Sequence, residues 1–167
     1  MNLSLVNTDR RWFDNPGSIS LSKKDRIVCQ QVANMGLRRR LNAGIVPKEV
    51  VVANSANCIE VKTPDLPMLT LLGLLNSSLM NWIFKKTSTN NHVNVYELDQ
   101  LPIKLFAKDE EKLFMSYVSE IIDVKANRSK IDSDLLNISR IESLINSMVY
   151  KLYSLSAEEI SLLEFNA

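Results

Sequence analysis

Between Leu66 and Phe84 the chain runs 19 residues without a charged side chain, and no other feature limits its fold as strongly. Such a stretch is long enough to raise the question of a membrane span. Pro67, Gly73, Asn76, Ser77, Ser78 and Asn81 interrupt it, and polar groups at that density are costly in hydrocarbon, so the sequence predicts a helix buried in protein and no membrane partner. Met68, Leu72, Leu75, Leu79, Trp82 and Ile83 recur three or four residues apart, which places them on one helical stripe. The expectation is one long helix ending at Lys85-Lys86, where two cations meet the negative end of the helix dipole. A loop through Thr87-Ser88-Thr89-Asn90-Asn91 follows, because those side chains cannot build a core.

Upstream of Pro64 the pattern changes. Arg26 to Ala33 is β-branched and bounded by Asp25 and by Asn34-Met35-Gly36, which suits a strand entering a turn. Glu49 to Ala53 and Asn57 to Val61 are two further strand candidates, and Asn54-Ser55-Ala56 between them predicts a hairpin. Beyond the polar loop, Val93 and Val95 alternate with His92 and Asn94 as a short strand, and Tyr96 to Pro102 reads as a turn or short helix stopped by proline. From Lys108 the chain reads as helical throughout. Leu113, Phe114, Tyr117, Val118, Ile121 and Ile122 form one stripe; Ile138, Ile141, Ile145, Met148 and Leu152 form a second, narrow enough for coiled-coil-like packing. Ser156-Ala157-Glu158-Glu159 is a capping box that starts a short terminal helix through Leu163. The predicted fold class is mixed α/β, a small mixed sheet with a long packed helix over residues 1–107, followed by a C-terminal helical segment over residues 108–167.

A chain of 167 residues, 46% hydrophobic with 4 Gly and 5 Pro, has the length of one compact domain or of a domain with a helical appendage, and disorder, collagen and a multidomain enzyme are excluded. The net charge of +1 predicts neither a polyanion binder nor an acidic protein. Its distribution says more: 13 basic and 8 acidic residues lie between Met1 and Ala107, against 7 and 11 between Lys108 and Ala167. The first two-thirds is therefore the part able to face an anion. Cys29 and Cys58 match neither zinc-ligand spacing nor a disulfide framework, and no signal peptide opens the chain, so the cytoplasm is the expected location. The first two dozen residues, with Trp12 and Phe13, read as polar connecting chain, either a cut end or a docking arm.

Most catalytic chemistry lacks its parts. There is no phosphate-binding glycine loop, no metal-ligating Cys/His constellation, no HExxH helix, and a single histidine, His92. Glu60, Lys62 and Asp65 are the residue types of a metal-dependent nuclease, but in the reverse of the usual order. Asp14-Asn15-Pro16 resembles part of the Asn-Pro-Pro-aromatic loop of amino-methyltransferases, without the second proline or the aromatic. Two polar clusters remain. Arg38, Arg39 and Arg40 follow Gly36, and three consecutive guanidiniums exceed the carboxylates nearby in sequence; arginine matches both a phosphate and the O6/N7 edge of guanine. Lys85, Lys86, Thr87, Ser88, Thr89, Asn90, Asn91, His92 and Asn94 form the second, in which lysine supplies phosphate charge, asparagine addresses the N6/N7 edge of adenine, and serine or threonine contacts phosphate or base. Each cluster also has a plain structural reading: salt bridges to the acidic helices or a solvated loop for the first, Asx and Ser/Thr turns for the second.

Leu71 to Lys86, with Leu75-Asn76-Ser77-Ser78-Leu79 followed by Trp82, Phe84 and Lys85, and then Asn91 to Ile103, ending Leu98-Asp99-Gln100-Leu101-Pro102-Ile103, resemble the TaqI-like carboxy-terminal specificity domain. Ile27 to Gln31 resembles the upstream strand of that domain, and Leu144 to Ile160 the tail that closes many of its enzymes, so the likeness spans about Lys23 to Glu164. This resemblance implies sequence-specific recognition of double-stranded DNA for an adenine methyltransferase or restriction-modification enzyme, as a carboxy-terminal fragment or a stand-alone specificity subunit, without catalysis by this chain. The catalytic residues are expected to be none, and the chain is expected to hold no metal and no cofactor, because S-adenosylmethionine would belong to a methyltransferase or endonuclease module supplied in cis or in trans. Arg38, Arg39, Arg40, Lys85, Lys86, Thr87, Ser88, Asn90, Asn91, His92 and Asn94 are the candidate DNA-binding residues, and the apolar stripes of the C-terminal helices are the expected docking face for the catalytic module or a second specificity domain. The alternatives are an assembly module whose loops are ordinary solvated turns and, third, a nuclease built on Glu60, Lys62 and Asp65.

Overall fold

The computed structural model describes residues 24–52, 55–126 and 132–166. Trp12, Phe13, Asp14-Asn15-Pro16 and Asn54 lie outside them. Among the described residues nine elements follow in chain order: β1 (Arg26–Gln30), β2 (Ala43–Val46), β3 (Ala56–Ile59), α1 (Met68–Leu75), α2 (Ser78–Thr87), α3 (Val95–Asp99), α4 (Lys108–Ala126), α5 (Asp132–Leu152) and α6 (Ala157–Asn166). The class is mixed α/β, with helices outweighing a three-stranded sheet of order β2-β1-β3.

That sheet is antiparallel throughout. Ile27 pairs with Ile45 on one side and with Ile59 on the other, and Val28 likewise with Gly44 and Cys58. The β-branched run is thus the central strand, and Ile27, Val28 and Cys29 are all buried, as a strand covered on both faces requires. The expected hairpin between Glu49–Ala53 and Asn57–Val61 does not form. Glu49 has a φ of 63°, a left-handed conformation that an extended strand cannot contain, and Val50 instead offers its carbonyl to the Arg26 guanidinium at 2.5 Å. β3 pairs with β1, while the second strand position is taken by Ala43–Val46, which the sequence did not single out. β1 also ends three residues early, because at Gln31 the pairing partner changes: Val93 N–H donates to Gln31 O and Ala33 N–H to Asn91 O. The expected Val93–Val95 strand is reduced to this single bridge, Val32 opposite His92, and Val95 already belongs to α3.

The 19-residue uncharged run is two helices. Asn76 closes α1 and Ser77, with extended backbone, starts α2, its hydroxyl accepting from Met80 N–H. No helix among the described residues is long and apolar enough to cross a membrane. α1 is buried from Thr70 to Leu75, a wider face than one stripe, because it lies between the sheet and α4. The approach to α4 is close: a Cβ on Gly73 would sit 2.5 Å from a ring carbon of Phe114 and 2.6 Å from a methyl of Val118. The stripes of α4 and α5 are spent here, with Phe114, Val118, Ile141, Ile145 and Val149 buried in the same apolar cluster as Ile27, Leu74, Met80 and Phe84. One core therefore runs across the Ala107–Lys108 boundary, and the stripes expected to dock a catalytic module are largely occupied within the chain. The capping box at α6 forms as expected, Ser156 N–H donating to Glu159 Oε2 at 2.8 Å and Glu159 N–H to Ser156 Oγ at 3.2 Å.

Candidate nucleic-acid interface

The two polar clusters lie almost fifty residues apart in sequence and meet in space through backbone atoms. The segment after β1, residues 31–41, is laid against α2 and the 88–94 loop. Asn81, buried on α2, receives Arg40 N–H at 2.8 Å and Leu41 N–H at 3.2 Å on its side-chain oxygen and gives its amide to Arg38 O at 3.0 Å. Lys85 Nζ donates to the same Arg38 carbonyl at 3.3 Å. On the loop side, Asn91 receives Ala33 N–H on its backbone oxygen and Met35 N–H on its side-chain oxygen, and Asn57 donates to Val93 O at 2.5 Å. An amide side chain presents a donor and an acceptor together, so each asparagine substitutes for a length of strand where none continues.

The three arginines separate. Arg38 is exposed. Arg39 is half-buried and donates to Asn76 O at the C-terminus of α1, where a cation meets the negative end of the helix dipole. Arg40 is 1% exposed: its guanidinium lies over the Phe84 ring, 5.0 Å from the centroid, and donates to Asn90 O at 2.5 Å and Ala33 O at 3.3 Å. It is therefore inside the fold. In the second cluster Lys86 is exposed and lies 5.6 Å from the Trp82 ring centroid, Thr87 bonds back to Ile83 O, and Ser88 is buried with its hydroxyl on Asn90 O. Asn94 is committed to the start of α3, where Glu97 Oε2 takes both its N–H and its side-chain amide, at 2.9 and 3.0 Å. Asn90, Asn91 and His92 are exposed, Asn90 folding its side-chain oxygen onto His92 N–H at 2.7 Å.

The exposed residues at this junction are Arg38, Asn90, Asn91 and His92, with Lys86 exposed beside Lys85 at the end of α2, together with residues the sequence did not select. Asn34, Met35, Gly36 and Leu37 form the tip beside them, Met35 and Leu37 being about half exposed. The asparagines behind this face, buried Asn57 and Asn81 and half-buried Asn76, were also missed. Their signal was present: Asn76 and Asn81 are polar residues inside an apolar helical run. Asn76 clasps β2 with its amide, receiving Ala43 N–H and donating to Ala43 O, both at 3.0 Å. Glu60, Lys62 and Asp65 are all exposed, and among the described residues no three His, Cys, Asp or Glu side chains are grouped to hold a metal ion.

Residues 2–103 match the TaqI-like C-terminal specificity domain, a span that includes β1 to α3 and both polar clusters. The chain belongs to this family. Within the matched span Asn76 holds the neighbouring strand and Ser77 caps the next helix. A solved structure titled as that of the Type IIL restriction-modification enzyme MmeI in complex with DNA has a similar fold, with a TM-score of 0.64 and 16% sequence identity over 88% of this chain. That share exceeds what residues 2–103 supply, so the common fold extends into the helices after Ile103. The present chain spans 21% of that enzyme's chain. No match was found among curated protein sequences.

Proposed function

We propose that this chain recognises a site in double-stranded DNA through the face made by residues 34–38 and 86–92, as the specificity module of a restriction-modification enzyme. The observation that carries this reading is the joining of two distant polar segments into one surface, fastened from behind by Asn81, Asn91 and Arg40. Arg38 and Lys86 supply phosphate charge, and Asn34, Asn90, Asn91 and His92 offer groups to base edges. Membership of a specificity-domain family and the likeness to an enzyme solved with DNA support it. Cleavage or adenine methylation, with S-adenosylmethionine, then falls to a catalytic module in cis or in trans, docked where α5 and α6 leave Leu135, Leu136 and Phe165 exposed. The cytoplasm is the compartment where such a partnership meets DNA.

The test is fluorescence anisotropy on a randomised duplex pool at two salt concentrations, with wild type, Arg38→Ala and Lys86→Ala. Each alanine variant is expected to weaken binding uniformly and to lower the logarithmic salt slope by about one. Binding with no salt dependence, or a slope unchanged in both variants, contradicts the assignment of this face.

A further inference from the structure

Burying a guanidinium removes it from water at a cost that only well-formed hydrogen bonds offset. Arg40 is as deeply buried as Phe84, yet its partners are the carbonyls of Ala33 and Asn90 and the face of an aromatic ring. Those two carbonyls belong to the two segments of the recognition face. A planar fork with donors on separate nitrogens spans them while lying over the Phe84 ring; a lysine ammonium offers no such plane. The residue's own backbone is held too, its N–H on Asn81 at 2.8 Å and its carbonyl receiving the Gln30 side chain at 3.4 Å.

We infer that Arg40 is a positioning residue: its buried guanidinium ties the segment after β1 to the 88–94 loop and thereby sets the geometry of the DNA-reading face without touching DNA. For its ligand the inference rests on the proposed function; the clamp itself does not. A contact residue and a clamp differ in measurable ways. A phosphate contact, when neutralised, lowers the salt slope by about one and weakens all sequences alike. A clamp leaves the slope unchanged, frees the bridge between the segments and erodes discrimination between sequences.

The experiment compares wild type, Arg40→Met and Arg40→Lys in the full chain. The first readout is amide hydrogen exchange without DNA at Ala33 and Val93, the two bridge donors, with Val28 in β1 as the internal reference; Gly73→Ala serves as a variant that destabilises the fold elsewhere. Exchange at Ala33 and Val93 is expected to rise about tenfold relative to Val28 in both Arg40 variants and not in Gly73→Ala. The second is binding to a duplex selected by wild type and to a scrambled one. The affinity ratio is expected to fall about tenfold, the scale of one mismatched base pair, at an unchanged salt slope. Unaltered relative exchange overturns the clamp, as does a slope lowered by about one in Arg40→Met. Should Arg40→Met not fold, Arg40→Lys carries the exchange test, since it retains charge and loses the fork. Should wild type bind no duplex at low salt, the proposed function fails while the exchange comparison still decides the clamp.

Discussion

Burial inside the central strand pushes the Cys29 thiol up to about 11 from an ordinary 9.0, against a smaller opposing effect of a backbone hydrogen bond at Asn42, whereas Cys58 is exposed. Alkylation with iodoacetamide at about pH 8 is therefore expected to modify Cys58 alone in the folded chain and both thiols after unfolding; labelling of Cys29 at a comparable rate in the native state would contradict its burial. The folded chain holds the Cys29 proton to higher pH than the unfolded chain does, so this contribution to stability is complete below pH 9 and lost between about 9 and 11. Unfolding free energies from urea titrations should fall across that window by up to about 1.4 kcal/mol per pH unit, and less steeply in Cys29→Ala. Polar residues show where one-dimensional reading stops. The basic and amide-rich clusters were visible as composition, but nothing local distinguishes exposed Arg38 from buried Arg40 two residues later; Phe84 and Asn90, some forty and fifty positions on, decide it. Asn76 looked like an interruption of an apolar helix, and only the neighbouring strand gives its amide a purpose. Asn76→Asp, which sets a carboxylate against Ala43 O and Leu72 O, should cost about 2–3 kcal/mol in chemical denaturation.

Among the elements, those governed by local chemistry were legible and those governed by pairing were not. The helices after Lys108 and the capping box at Ser156 follow from periodicity and from side chains three residues apart. The split between α1 and α2 was hidden because the apolar spacing continues across it almost unbroken, while the deciding signal, a serine positioned to accept from Met80, is one hydroxyl. Ser77→Ala should accordingly cost about 1 kcal/mol and fray the start of α2, visible as faster amide exchange there than in α1. The sheet order was hidden for a different reason: β2 is Ala-Gly-Ile-Val, too short and too small to announce a strand, and it exists because β1 and Asn76 hold its two edges. Where α1 crosses α4, Gly73→Ala forces a methyl into the Phe114 ring and should lower stability by about 1–3 kcal/mol. Phe114→Leu in the same chain relieves the clash, so the double variant should lose less than the two single losses added together; strict additivity would mean that the two residues do not meet.

At the level of the whole molecule, a domain ending at Ala107 was the natural reading of the charge asymmetry, yet the core ignores that boundary. Phe114, Val118, Ile141, Ile145 and Val149 cover α1 and α2 from the far side, so a chain cut after Ala107 leaves those helices bare and is expected to show no cooperative urea transition, whereas residues 1–167 should unfold in one. The more basic and the more acidic stretches of the sequence are thus joined by one core. The tip of the proposed reading face has a further property. Its frame is gripped at Ala33 N–H and carbonyl, Met35 N–H, Arg38 carbonyl, and the N–H groups of Arg40 and Leu41, all of them atoms that every residue but proline possesses. The side chains of Met35 and Leu37, each about half exposed, take no part in that grip, whereas the Asn34 amide oxygen turns back to receive Gly36 N–H at 2.8 Å. If this face reads DNA as proposed, substitutions at Met35 and Leu37 should alter what is read while leaving every one of these backbone bonds in place.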